Sequence, residues 1–152
     1  MPKHDLENIP EKGGTGYPPQ YAAITKGRFR KRLGDAGGLT QFGVNLCRLE
    51  PGSGSSLRHW HHNEDELVYM VSGEAVLIEN EGETILRPGD VATFKAGVAN
   101  GHNIVNRSSA DAIFIEVGTR ANDEIAEYPD IDLRAEKIAG VMRFIRKDGS
   151  PF

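Results

Sequence analysis

Between Gly38 and Gly118 the chain consists of short apolar runs separated by turn residues: LTQFGVNLCRL, PGSGSS, ELVYMVSGEAVLI, ENEGE, TILRPGDVATF, KAGVANG, HNIVN and AIFIEVG. Runs of about four to eight residues rich in Val, Ile, Leu and aromatics, bounded by Gly, Pro, Asn and Asp, form strands joined by tight turns. At least seven strands are expected, and 18 glycines in 152 residues fit a turn-rich β fold better than a helical bundle. The length suits one domain. Many short antiparallel strands in one domain bury a face each by forming a sandwich or a closed barrel, so the fold class is all-β. Asn80-Glu81-Gly82 and Pro88-Gly89-Asp90 are each expected to turn the chain, giving two hairpins.

The ends read differently. Residues 1–20, MPKHDLENIPEKGGTGYPPQ, carry four prolines and no amphipathic period, which marks an N-terminal arm ahead of a single domain over 21–152. The C-terminal extension stays open: Ile138, Val141, Met142 and Ile145 fit a helical spacing, while VMRFIRK alternates as a strand does.

The charge of −4 argues against nucleic acid as a partner, since affinity for phosphate backbones comes from surplus Lys and Arg. The one basic cluster, KGRFRKR from Lys26 to Arg32, reads as a solvated edge strand guarded by its charges, ahead of an anion-binding role. Cys47 is the single cysteine, so no intrachain disulfide can form; within FGVNLCRL it reads as a packed strand residue. No apolar run reaches the ~18 residues of a membrane span and the N-terminus has no signal-peptide core. A cytoplasmic protein with no membrane partner is expected.

The chemistry concentrates in RHWHHNEDE, Arg58 to Glu66, which holds three of the five histidines. On a strand, His59 and His61 point to the same face about 6.5–7 Å apart along the chain. Glu66 opens the next apolar run, and after a short reversal its carboxylate can aim at the same point. Imidazoles with one carboxylate form a borderline site suited to Zn, Fe, Mn, Ni or Co. His102, at the start of HNIVN, is the one histidine outside this stretch and the arm. The bland alternative is a wet polar loop. His62, opposite in parity to His61, reads as a surface residue; Glu64 and Asp65 belong to the reversal, where either can accept a histidine N–H. Trp60 falls on the face away from the ligands, against the arm or a partner subunit, and Tyr69 is expected to face away from the metal.

The order of these residues resembles the two motifs of the cupin superfamily. PGSGSSLRHWHHNEDELVYMVSG carries the first, with His59, His61, Glu66 and Gly73 in register; RPGDVATFKAGVANGHNIVN carries the second through Gly89, Gly97, His102 and Asn106. Lys95 stands where the pattern has proline, and two extra residues separate Gly97 from His102. The resemblance, over about 38–118, implies a double-stranded β-helix, or jelly-roll barrel, with one divalent metal (Zn, Fe, Mn or Ni) held by His59, His61, Glu66 and His102. It extends to small stand-alone cupins, some described as sugar-phosphate-isomerase-like. That implies a small-molecule ligand and metal-dependent chemistry of isomerase, lyase or oxygenase type, dioxygenases included. A non-catalytic binding or sensing module with a structural metal is the alternative. No catalytic residue is assigned. A homodimer is expected, the arm lying across the partner on the strand 26–32 or on the face bearing Trp60.

Overall fold

The apolar runs become strands in the computed structural model, which describes residues 2–152; Met1, the first residue of the arm, lies outside them. In chain order the elements are β1 (Glu11–Lys12), β2 (Arg28–Arg32), the single helical turn α1 (Leu33–Ala36), β3 (Phe42–Leu49), β4 (Trp60–His61), β5 (Glu66–Ser72), β6 (Ala75–Glu79) and β7 (Gly82–Leu86). Then follow β8 (Val91–Phe94), β9 (Asn103–Val105), β10 (Ala112–Thr119), β11 (Glu124–Tyr128), β12 (Leu133–Ile138) and β13 (Val141–Ile145). The all-β jelly-roll expectation holds.

One face of the barrel is a six-stranded sheet in the order β1-β2-β3-β10-β5-β8. The other is built from β13-β12-β11-β4 and β7-β6-β9, which meet where His59 bridges His102 and Gly54 bridges Val105. Period-2 alternation fixes which side chains enter. In β5, Val68 and Met70 are buried while Leu67, Tyr69 and Val71 face outward. In β3, Cys47 and Leu49 are buried opposite Phe114 and Ala112 of β10.

Two apolar clusters result. The larger packs Leu49, Met70, Leu77, Ile104 and Phe114 between the two faces; the smaller gathers Ala126, Tyr128, Leu133 and Ala135 with Tyr17 and Phe144. Burying each large side chain contributes roughly 1.5–3 kcal/mol. The histidines lie between the clusters. His102 stacks on Phe94 with ring centroids 3.5 Å apart, and the His59 ring lies 5.7 Å from that of Tyr128.

Three expectations are corrected or resolved. Asn80-Glu81 closes the β6–β7 hairpin as expected, but Pro88-Gly89-Asp90 turns a corner: β7 pairs with β6, whereas β8 pairs with β5 in the opposite sheet. Turn residues dictate a reversal and leave the partner open. The C-terminal extension is strand, because Ala135 and Leu133 sit in the smaller cluster and β12 pairs on both sides, with β11 and β13. The arm lies against its own barrel on the strip 28–32: Glu11 pairs with Lys31, Ile9 is buried, and the Tyr17 ring lies 5.3 Å from that of Phe144. Among the described residues no helix is long and apolar enough to cross a membrane.

Candidate metal centre

Both barrel faces contribute to the centre. His61 ends β4 and His59 immediately precedes it; the backbone of His59 exchanges hydrogen bonds with that of His102, N–H to O at 3.1 and 2.9 Å, which seats His102 beside it despite the longer turn after Gly97. Glu66 opens β5 on the facing sheet. Ligand atoms of His59, His61 and Glu66 all lie within 4.8 Å of one another. The three Nε2 atoms converge on the Glu66 carboxylate: 3.8 Å from His59 and 2.9 Å from His102 to Oε2, and 3.4 Å from His61 to Oε1.

The far side of each ring decides its tautomer. His59 Nδ1 is 2.9 Å from the Leu57 carbonyl and His102 Nδ1 is 3.2 Å from the Asn100 carbonyl. A carbonyl can only accept, so each Nδ1 carries the proton and donates it, which leaves Nε2 with its lone pair toward Glu66. Outer partners of this kind orient metal-binding histidines. His102 Nε2 and Glu66 Oε2 at 2.9 Å then require a proton or a cation between them. His61 Nδ1 is buried with no hydrogen-bond partner, with Glu64 at 3.9 Å and Glu124 at 3.7 Å beyond reach. The donor set fits a divalent metal of the borderline class.

Burial pushes His59 down to about 4, against the attraction of Glu66 and with the repulsion of His61 and His102, so it is neutral at neutral pH. Burial would lower His61 too, but its hydrogen bond to Glu66 and the charges of Glu66, Glu124 and Glu64 outweigh it and raise its pKa. Burial opposes ionisation of Glu66, yet the His102 and His61 rings beside its carboxylate hold its pKa well below the carboxylate range.

The surroundings contain residues that sequence reasoning missed. Glu124 is 3% exposed and accepts the backbone N–H of His62 and of Asn63, each at 2.8 Å, which fixes the turn leaving His61. The available signal was its parity in EIAEY with the buried Ala126 and Tyr128. Glu64 accepts from Lys137 and from the Ala121 N–H, while Asp65 accepts from the Ala96 N–H and turns away from the histidines. His62 faces outward and stacks on Trp60 at 4.6 Å. Trp60, expected on the face away from the ligands, borders a recess of about 190 Å³ that it shares with His61, Glu66, Lys95 and Val98.

The basic strand is the main correction. β2 is no solvated edge: β1 and β3 pair with it, and Arg28 and Arg30 point into the barrel opposite Leu49 and Cys47. The inward parity of β3 dictates this, because register, not charge, sets the face. Arg30 pairs with Glu116, which Asn45 also contacts at 2.9 Å. These groups line a cavity of about 500 Å³ that reaches His59 and Glu66 and includes Tyr17, Tyr128 and Lys137 in its wall.

Residues 45–118 match the family model of the cupin domain. The chain is similar to the crystal structure of a sugar phosphate isomerase of the cupin superfamily from Silicibacter pomeroyi, with 51% identity, 99% of this chain and 96% of that one covered, and a TM-score of 0.96. It is also similar to a putative sugar phosphate isomerase from Acidithiobacillus ferrooxidans, with 30% identity, 82% of this chain and 80% of that one covered, and a TM-score of 0.75. The oxalate-binding protein of Thermotoga maritima is 34% identical over 70 residues, 46% of this chain; the match spans 55% of that relative's length. With both motifs on one jelly-roll barrel and these likenesses along its length, the chain belongs to the cupin superfamily.

Proposed function

We propose that His59, His61, Glu66 and His102 hold one divalent metal, Zn, Fe, Mn or Ni, and that the protein is a metal-dependent enzyme acting on a small polar metabolite by isomerase-, lyase- or oxygenase-type chemistry. The observation that carries the reading is the convergence of three imidazole Nε2 atoms on one carboxylate at the edge of a cavity. Bound there, a metal supplies Lewis acidity toward a substrate oxygen. Tyr17 and Tyr128 wall the space beside it. The likeness to two cupins described as sugar phosphate isomerases supports a metabolite of that size and polarity.

One observation favours a second reading, a non-catalytic binding module. The cavity acids Glu64 and Glu116 are engaged by Lys137 and Arg30, and burial raises the Tyr128 and Tyr17 hydroxyls, so free general bases are scarce. The likeness to an oxalate-binding protein agrees with it. Metal-loaded protein screened against a metabolite panel by thermal shift, each hit then followed by NMR for turnover, separates the two. The enzyme reading expects a hit that is consumed only when metal is present; a ligand that binds and is recovered unchanged supports the binding module.

We also infer a homodimer, on the outer face of the six-stranded sheet, where Leu67, Tyr69, Val71 and Val91 are exposed side by side. A single cysteine buried as a thiol suits the reducing cytoplasm.

A further inference from the structure

A fixed cation without an ion-pair partner stands in the wall of the barrel cavity. Arg28 is 9% exposed; its Nη1 donates to the Ser55 carbonyl at 2.5 Å and its Nη2 to the Gly14 carbonyl at 3.1 Å. Among the described residues no carboxylate forms an ion pair with it. The other cations that line the cavity each have a carboxylate beside them: Arg30 has Glu116, Lys137 has Glu64, and Arg32 and Arg120 have Asp35. Burial lowers the Arg28 pKa, but a guanidinium remains protonated in proteins, so the cavity wall holds a buried positive charge that no carboxylate contacts. A fold retains such a charge at a heavy cost unless something neutralises it.

The two carbonyls use two of the five guanidinium donors and fix the plane of the fork. The remaining donors suit an oxyanion, for which a guanidinium offers paired, charge-assisted hydrogen bonds. Arg28 is also tied to the histidine cluster. It grips the carbonyl of Ser55, and the neighbouring Ser56 hydroxyl lies 3.2 Å from His59 Nδ1. Along the wall Tyr17 meets Tyr128 at 5.8 Å, and Tyr128 meets His59 at 5.7 Å. One cavity thus joins the guanidinium to the histidines.

We propose that Arg28 anchors an oxyanion, and that the ligand of this barrel is a small metabolite bearing a phosphate or carboxylate group that binds Arg28 while its other end reaches the histidine cluster. The second half of this assignment rests on the metal-centre reading above; the first does not. A phosphate monoester and a small dicarboxylate share the chemistry that Arg28 recognises, and the probes tell them apart. Metal-loaded protein is titrated by calorimetry with inorganic phosphate, glucose 6-phosphate, oxalate and, as a neutral control, glucose. At least one oxyanion probe should bind and glucose should not. Arg28→Gln should weaken that binding at least about tenfold and Arg28→Lys less, with metal per chain unchanged in both. Equal binding by wild type and Arg28→Gln, or no binding of any oxyanion probe, overturns the proposal. If Arg28→Gln fails to fold, wild-type crystals soaked in selenate decide: anomalous density within hydrogen-bond distance of the Arg28 guanidinium supports the anchor, and density only elsewhere, or none, overturns it. The same titration on chelator-treated protein separates the two readings, because Arg28-dependent binding that persists in a chain with no metal affinity sinks the metal centre and keeps the anchor.

Discussion

A histidine that is to bind a metal must keep one nitrogen unprotonated, and the Leu57 and Asn100 carbonyls impose that on His59 and His102 by holding the proton on Nδ1. Residues away from the centre make equally specific statements. Cys47 is wholly buried and its thiol is pushed up to about 12 by desolvation and the nearby Glu116 carboxylate, so almost no thiolate exists at pH 8. Native protein should leave a thiol reagent unreacted and denatured protein should consume one equivalent; rapid native reaction would contradict the packing described. Gly73 has φ +74, and a Cβ there would stand 2.3 Å from the Asp111 carbonyl oxygen, so Gly73→Ala should destabilise the fold by about 2 kcal/mol or more, read from urea unfolding. An unchanged midpoint would show that the turn can relax. His59, His61 and Glu66 were legible because their spacing and strand parity are local properties. Arg28, Glu124 and Tyr128 were not, because their approach to the site depends on strands far apart in the chain.

At the scale of elements, the pairing of β10 with both β3 and β5 makes it the centre of the six-stranded sheet, and Phe114 on its inner face is fully buried. Phe114→Ala should cost about 3–5 kcal/mol, measured by denaturant unfolding. A loss below about 1 kcal/mol would mean that the barrel collapses around the cavity and that the larger cluster is not the main source of stability. Individual strands were legible wherever alternation met turn residues, as in ELVYMVSGEAVLI. Partnership was not. The corner at Pro88-Gly89-Asp90 looks like a hairpin turn in sequence, and only the closing of the barrel sends β8 to β5. The C-terminal extension carried two periods at once, and burial of Leu133 and Ala135 against Tyr128 selects the strand.

For the whole molecule, the sequence resemblance supplied the barrel and its motifs, while the charged inner wall of β2 emerged only from the register of β2 against β3. The exposed apolar strip on the opposite side of the six-stranded sheet carries the dimer inference. Tyr69 and Val91 are cross-strand neighbours, 42% and 56% exposed. Tyr69→Lys with Val91→Lys should convert a dimer to a monomer by light scattering at micromolar concentration and leave metal content unchanged; a monomeric wild type would remove the inference. The central claim is that the barrel holds one divalent metal through the histidine cluster, and elemental analysis of protein purified without added ions tests it most directly. Wild type should carry close to one metal per chain, and the folded His59→Ala/His61→Ala double variant at most a residual fraction, since losing two imidazoles leaves one histidine and one carboxylate for a metal that needs three or four protein ligands. Full occupancy in the double variant, or a wild type without metal that also takes up none of Zn, Fe, Mn or Ni on addition, would contradict the account.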